Sequence, residues 1–429
     1  MSRYFLMATL VFAGEIIFGL PFHTARFFRP TLLEAFGFTN TELGDVFAVY
    51  GVMAMIAYFP GGMLADRFSA RSLLTISLAT TGIGGFYMAT YPGTLGMALL
   101  YGYWGVTTIL LFWAALIRAT REWGGAVSQG KAFGILEGGR GVAAALFATF
   151  GIAVLAWYFP DNAALVSNEE RRTAFRAVIL LYSFAAIAAA MFTWILIPSV
   201  KHLGDSSQSL FHRAAVVTTR PLVWAQAAVI ICAYCAYKGL DNYSLYAVQV
   251  LGMNEVDGAQ LSAYGAYIRP VAAIAAGVVA DRWSASKTIG ALFFVLLISY
   301  AMLSFALPDG SGLMVIYANI FVSFFAVFGL RGVYFALLEE NQTPQYFTGA
   351  VTGMVSFVGY TPEIFFAPIT GRILDASPGI VGHQNYFLFL TAVMAVAIVV
   401  VAWLLRLQKS DSQAHWPQSP VLDTQPSTK

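Results

Sequence analysis

The stretch GGMLADRFSARSLL, residues 61–74, sets Asp66, Arg67 and Arg71 in a short polar turn between two apolar runs, and AAGVVADRWSASK, residues 275–287, nearly repeats it. Overlaying the two places Gly62 on Gly277, Asp66 on Asp281 and Arg67 on Arg282 at one constant offset of 215 residues, about half the chain. A charged turn between long apolar segments, repeated after half the length, is the pattern of a membrane protein built from two similar helical halves.

Composition supports that frame. With 59% hydrophobic and only 11% charged residues, the chain has too few charges to cover a soluble body of 429 residues. Its mean hydropathy of +0.70 implies solvation by lipid. The apolar runs approach 20 residues, the length a helix needs to cross about 30 Å of hydrocarbon. Twelve are expected, near 5–33, 44–65, 72–91, 94–118, 130–158, 177–197, 221–246, 259–280, 288–307, 312–337, 347–371 and 384–406. The first exceeds one perpendicular crossing, so it tilts or its outer end stands proud of the bilayer, with Pro21 and Pro30 placed to bend it.

The expected organisation is an N-terminal six-helix bundle over 1–199, a polar linker over 200–220, a C-terminal six-helix bundle over 221–407 and a disordered tail over 408–429. Basic residues set the orientation. Arg3, Arg67, Arg71, Arg118, Arg121, Lys131, Lys201, Arg213, Arg220, Arg282, Lys287, Arg406, Lys409 and Lys429 fall on one side, against Arg171, Arg172, Arg176 and Arg372 on the other. This bias predicts both termini in the cytoplasm. The first apolar run is too long for a cleavable signal peptide, so none is expected.

The quoted turn resembles the loop signature of the major facilitator superfamily: a glycine, three residues, then Asp-Arg and further basic residues. Gly62, Asp66, Arg67 and Arg71 match, while Ser69 stands where the family usually has glycine; the second copy keeps Gly277, Asp281 and Arg282 but has Ser286 opposite Arg71. The resemblance in topology runs from about residue 4 to 407 and implies a twelve-helix transporter fold. The signature then reads as a gate latch. Gly62 would permit close helix approach, and Asp66 would pair with a basic group or a helix N-terminus when the bundles close on the cytoplasmic side.

Charges inside the spans point to the cargo, because each costs at least about 2.5–3.5 kcal/mol at the bilayer centre and normally faces a cavity. They are Glu15, His23, Arg26 and Arg29 in the first span, Glu137 and Arg140 in the fifth, Lys238 and Asp241 in the seventh, Arg269, Arg331 and Glu363. His23, Arg26, Glu137, Arg140, Lys238, Asp241, Arg269 and Arg331 are the candidate substrate-binding residues. Glu15 and Glu363 are the candidate proton carriers, since a carboxylic acid taken out of water holds its proton more tightly. Arg29 is expected to snorkel to the outer interface, and Glu137 with Arg140 can also neutralise each other as a packing pair.

The same offset lays His23 over Lys238 and Arg26 over Asp241. Two basic groups facing each other across the pseudo-two-fold axis would suit an anion. The register from His23 to Asp66 also resembles that of the superfamily's organophosphate antiporters, which carry basic phosphate-binding residues in helices 1 and 7. By that resemblance His23 and Lys238 are the carried-over candidates. Histidine in place of arginine offers less charge and adds a proton that exchanges near neutral pH. QGKAFGILEGGRG (129–141), LRGVYFALLEE (330–340) and GYTPEIFFAPITGRILD (359–375) resemble segments of the bacterial YihN-type permeases.

Catalytic and cofactor signatures are not found: no HExxH, P-loop or GxSxG occurs. Cys232 and Cys235 lack a second pair, so they read as small residues on one helix face rather than a metal or redox site. A net charge of +2 gives no support for nucleic-acid binding. The expectation is therefore a monomeric, non-enzymatic, all-α transporter of the bacterial inner membrane. It carries a small polar solute, an organic anion such as a sugar acid, carboxylate or phosphorylated compound, with protons and without cofactor or metal. Anion exchange and a non-transporting solute receptor are the alternatives.

Overall fold

The computed structural model describes residues 3–124, 129–159, 166–199, 215–308 and 312–410. Most of the expected linker and tail lie outside the described residues. Twelve helical spans form two six-helix bundles: α1 (3–36, in segments), α2 (Asn40–Arg67), α3 (Ala70–Met88), α4 (Thr94–Gly124), α5 (Gln129–Tyr158) and α6 (Asn168–Leu196), then α7 (Pro221–Gln249), α8 (Glu255–Arg282), α9 (Ala285–Phe305), α10 (Gly312–Glu340), α11 (345–376) and α12 (Ile380–Ser410). Ten of these are long and apolar enough to cross a membrane, eleven with the bent first span. The twelfth, α3, is made less apolar by Arg71 and a run of Ser and Thr. Two of those are satisfied internally: the Ser77 hydroxyl donates to the Thr107 carbonyl at 2.7 Å, and Thr81 bonds the Thr107 hydroxyl at 2.8 Å.

Helix α1 bends by 41° between Arg3–Ile16 and Gly19–Phe27, through a π-helical turn over Gly19–His23. A second break at Phe28 precedes Arg29–Phe36. At its outer end, Arg29, Thr31, Leu32 and Leu33 are buried within the protein. Pro30 explains part of this. Having no N–H, it leaves the Arg26 carbonyl without its helical partner, and an unsatisfied carbonyl in hydrocarbon is costly. Ser244 and Ser262 of the second bundle donate to that carbonyl at 2.9 and 3.3 Å. The proline thus ties α1 to the opposite bundle. Helix α6 begins nine residues before its apolar run, because Ser167 and Glu170 form a reciprocal capping box there.

The bundles meet closely on the face opposite the termini. Gly44 of α2 lies so near α11 that a Cβ there would sit 2.5 Å from the Ala367 carbonyl oxygen, and one at Gly51 would sit 2.6 Å from that of Glu363. Around this seam Asp375 accepts from the Asn40 and Thr41 backbone N–H groups, Arg372 pairs with Asp45 at 2.8 Å, and Glu255 accepts from Arg171 and Thr31. Arg26–Asp241, Arg269–Glu15, Thr149–Tyr267 and the seam pairs join the bundles in the middle or in this half. Toward the termini, positions Gly62, Gly134, Gly138, Gly277, Gly349 and Gly353 adjoin open space. The conformation is sealed on one face and parted on the other.

Candidate functional site

Charged side chains from both bundles converge midway along the spans, in two connected clusters. The first is built on α1, α5 and α8. Glu15 is 3% exposed and accepts from Arg140 Nε at 3.0 Å and Arg269 Nη1 at 3.5 Å, with His23 Nε2 at 3.2 Å. Glu137, half exposed, takes the other edges of the same arginines, from Arg140 at 2.6 Å and from Arg269 at 3.1 Å. Two carboxylates of one bundle therefore clamp one arginine from each. Beside them a void of about 20 Å³, bounded by Glu15, His23, Arg26, Ser262 and Arg269, has room for about one water.

The second cluster is built on α1, α7 and α11. Arg26 Nε donates to Asp241 at 2.6 Å and its Nη1 donates to the Tyr237 hydroxyl at 2.7 Å. Lys238 Nζ lies 2.9 Å from Asp241 Oδ2 and 3.3 Å from Glu363 Oε2. Tyr234 donates its hydroxyl to the other oxygen of Glu363. Lys238 is 2% exposed, and its ammonium sits 4.8 Å from the ring centres of both Phe22 and Phe47. A 3₁₀ turn over Leu240–Asn242 breaks α7 at this level and carries Asp241 into the interface. Broken helices placing charges at mid-bilayer are a recurring construction of transporter sites.

Arg26 and Asp241, register mates at 215 residues, touch each other directly. Symmetry mates meet only beside the symmetry axis, so the axis passes between them. His23 and Lys238 do not form a bare cation pair; each enters a separate carboxylate cluster, which spares two like charges from facing each other in low dielectric. Arg331 is set apart. Its guanidinium stacks on the Tyr237 ring at 3.9 Å, and among the described residues it has no carboxylate within 4 Å.

Arg29 corrects the snorkelling expectation. It is 2% exposed, and its Nε and Nη2 donate to Asn40 Oδ1 at 3.3 and 3.2 Å. Because the Asn40 amide in turn donates to Asp375 at 3.0 Å, the buried charge is relayed to a carboxylate. The α2–α3 turn and its repeat carry the loop signature. Gly62 and Gly277 contact nothing within 4 Å of a Cβ position, Arg67, Asp281 and Arg282 are exposed, and Arg71 stacks on Trp194 of its own bundle at 4.6 Å. The Asp66 side chain lies outside the described residues. Cys232 and Cys235 are both buried and unpaired with each other.

Sequence reasoning singled out charged residues and so passed over Tyr234 and Tyr237. Their only early signal is spacing: positions 234, 237, 238 and 241 step by three and four along α7, which aligns them on one face with the charges. The outer seam of Asn40, Arg171, Glu255 and Asp375 was also missed.

Comparison with known proteins adds the family. A model of the Major Facilitator Superfamily matches residues 5–367. The chain is 26% identical over 416 residues to the inner membrane protein YqcE of Escherichia coli, covering 95% of each chain. It is 27% identical over 404 residues to the inner membrane protein YihN of the same organism, covering 90% and 91%. Among solved structures, the nucleoside transporter NupG superposes with a TM-score of 0.70 at 12% identity, covering 95% of this chain and 100% of that one. At that identity the likeness concerns the fold alone.

Proposed function

This chain belongs to the major facilitator superfamily, and from that premise we propose that it moves a small organic anion, such as a sugar acid, carboxylate or phosphorylated compound, together with protons. It works by alternating access as a monomer in the bacterial inner membrane, with both termini cytoplasmic. The parted face is then the cytoplasmic one. The domain division is the one stated from sequence, with 200–220 joining the bundles and 408–429 as the tail.

The observation that carries the reading is the charge balance of the interface. Arg26, Arg140, Lys238, Arg269 and Arg331 are set against Glu15, Glu137, Asp241 and Glu363, which leaves an excess of positive charge midway between the bundles. An anion entering from the parted face offsets that excess. His23, Arg26, Glu137, Arg140, Lys238, Asp241, Arg269 and Arg331 are its proposed contacts. Rocking toward the other state must exchange the inter-bundle pairs Arg26–Asp241, Arg269–Glu15 and Arg269–Glu137, and a solute bearing its own charge lowers the cost of parting them.

Proton coupling is assigned to Glu363, with Glu15 as the second carboxylate. Lys238 is shared between Asp241 and Glu363. A proton on Glu363 removes one claimant and leaves Lys238 to Asp241. The loop residues Gly62, Asp66, Arg67, Arg71, Gly277, Asp281 and Arg282 form the cytoplasmic gate that closes in the opposite state.

The test is uptake of labelled gluconate, glucuronate and glucose 6-phosphate into proteoliposomes, with an imposed pH gradient or with trapped counter-solute. Accumulation driven by the pH gradient supports the proposal. Flux driven only by counter-solute makes the protein an exchanger, and binding without flux makes it a receptor; either result rejects proton-coupled transport.

A further inference from the structure

We propose that Phe22 and Phe47 are positioning residues for Lys238: they hold its ammonium while the outer face is sealed and release it when that face opens. The inference rests on the alternating-access reading above and adds a regulatory contact to its site. Lys238 Nζ lies over both rings, 4.8 Å from each centre. The two rings are parallel to within 6°, with centres 5.9 Å apart. A ring attracts a cation over its face through its quadrupole, and more strongly where water is excluded. Here it is excluded, since Lys238 is 2% exposed and Phe47 1%.

The contact crosses between the bundles. Lys238 belongs to the second, where Asp241 at 2.9 Å and Glu363 at 3.3 Å hold its charge. The rings belong to the first. Phe22 stands in the π-helical turn of α1, with Tyr50 meeting it at 78° and 4.8 Å, and Phe47 stands on α2, with Tyr101 meeting it at 81° and 5.2 Å. Each partner is thus fixed within its own bundle, and only the join between them is free to change.

Position along α2 decides when it changes. Phe47 lies between Gly44 and Gly51, the two points at which α2 presses on the Ala367 and Glu363 carbonyls of α11. Opening the sealed face draws α2 away from α11 there, so Phe47 leaves with α2 while Lys238 stays with Asp241 and Glu363. An ammonium has three N–H donors, and two carboxylates leave one side of it to the rings. Once the rings depart, a solute anion can take that side, as a stronger partner than a ring face. Without solute, the rings favour the sealed state.

In full-length protein, Phe22 and Phe47 are replaced by mono-, di- and trifluorinated phenylalanine, which withdraws charge from the ring face stepwise with little change in shape. Spin labels at Gly93 and Leu307, one per bundle on the sealed face, report the open-to-sealed ratio by double electron–electron resonance, with Cys232 and Cys235 replaced by Ala. The ratio is expected to rise with each fluorine, by roughly 5-fold for one trifluorinated ring and roughly 25-fold for both. With Lys238→Met the same series is expected to have no effect, because the rings then face no cation. Trifluorination of Phe112, a buried ring with no described cation over it, is expected to leave the ratio unchanged in the protein that keeps Lys238. The inference is overturned if trifluorination of both rings leaves the distances unchanged, or if the shift does not follow the number of fluorines. It is equally overturned if Phe112 or the Lys238→Met protein responds as strongly. Gly44→Val, which forces α2 off α11, separates the two readings. If it lengthens the distances and the fluorinated rings do not, the clamp is rejected and alternating access stands; if it too leaves them unchanged, both fall.

Discussion

Asp375→Ala should unlatch the sealed face. One carboxylate oxygen accepts from the Asn40 backbone N–H at 3.2 Å and from the Asn40 amide at 3.0 Å, and the other accepts from the Thr41 N–H at 2.7 Å. Asn40 and Thr41 open α2, so a carboxylate of the second bundle caps a helix N-terminus of the first, where N–H groups have no intrahelical partner and the helix dipole favours negative charge. Asp375 is partly exposed, so water replaces the lost bonds in the variant and each costs only about 0.5 kcal/mol net. Adding about 0.5 kcal/mol for the dipole gives a shift of about 2 kcal/mol toward opening this face, or roughly 30-fold in the equilibrium. A population open at about 1% would rise to about a quarter. Spin labels at Gly93 and Leu307, one per bundle on this face, with Cys232 and Cys235 replaced by Ala, read the change as a longer-distance component in double electron–electron resonance. An unchanged distance distribution in a folded variant would refute the capping argument.

Gly44→Val forces two backbones apart, because even a Cβ would sit 2.5 Å from the Ala367 carbonyl oxygen; the same label pair should show the outer face open and transport should be lost. Glu15→Gln leaves Arg140, Arg269 and His23 facing a neutral group, and by the penalty for breaking buried pairs it should destabilise the protein by about 3 kcal/mol, seen as a lower unfolding temperature in detergent. Glu363→Gln should abolish pH-driven accumulation while solute exchange continues; retained accumulation would remove Glu363 from proton coupling. Ser244→Ala combined with Ser262→Ala strands the Arg26 carbonyl and should cost about 1–3 kcal/mol, whereas restoring its helical partner with an additional Pro30→Ala change should recover part of that loss.

Sequence alone was enough for the class of molecule and for locating its interior charges. Apolar runs of membrane-spanning length, the repeat that puts Asp66 over Asp281, and the rarity of interior charges follow from the cost of placing polar groups in hydrocarbon, which acts locally on every segment. Apart from the one-turn pair Glu137–Arg140, the partners of those charges were not legible, because pairing depends on how rods separated by a hundred or more residues are rotated and bent. The bend and π turn in α1 bring Glu15 and His23 together, although they are eight residues apart, and Arg26 meets the other bundle. The orphaned Arg26 carbonyl was implicit in Pro30, but only packing could supply Ser244 and Ser262 to answer it. Likewise, composition counted the excess of basic groups, and tertiary structure alone decided that Arg331 is the one held by a ring rather than by a carboxylate. Burial energies are set residue by residue, whereas the match of each charge to its counter-charge is a property of the assembled bundles.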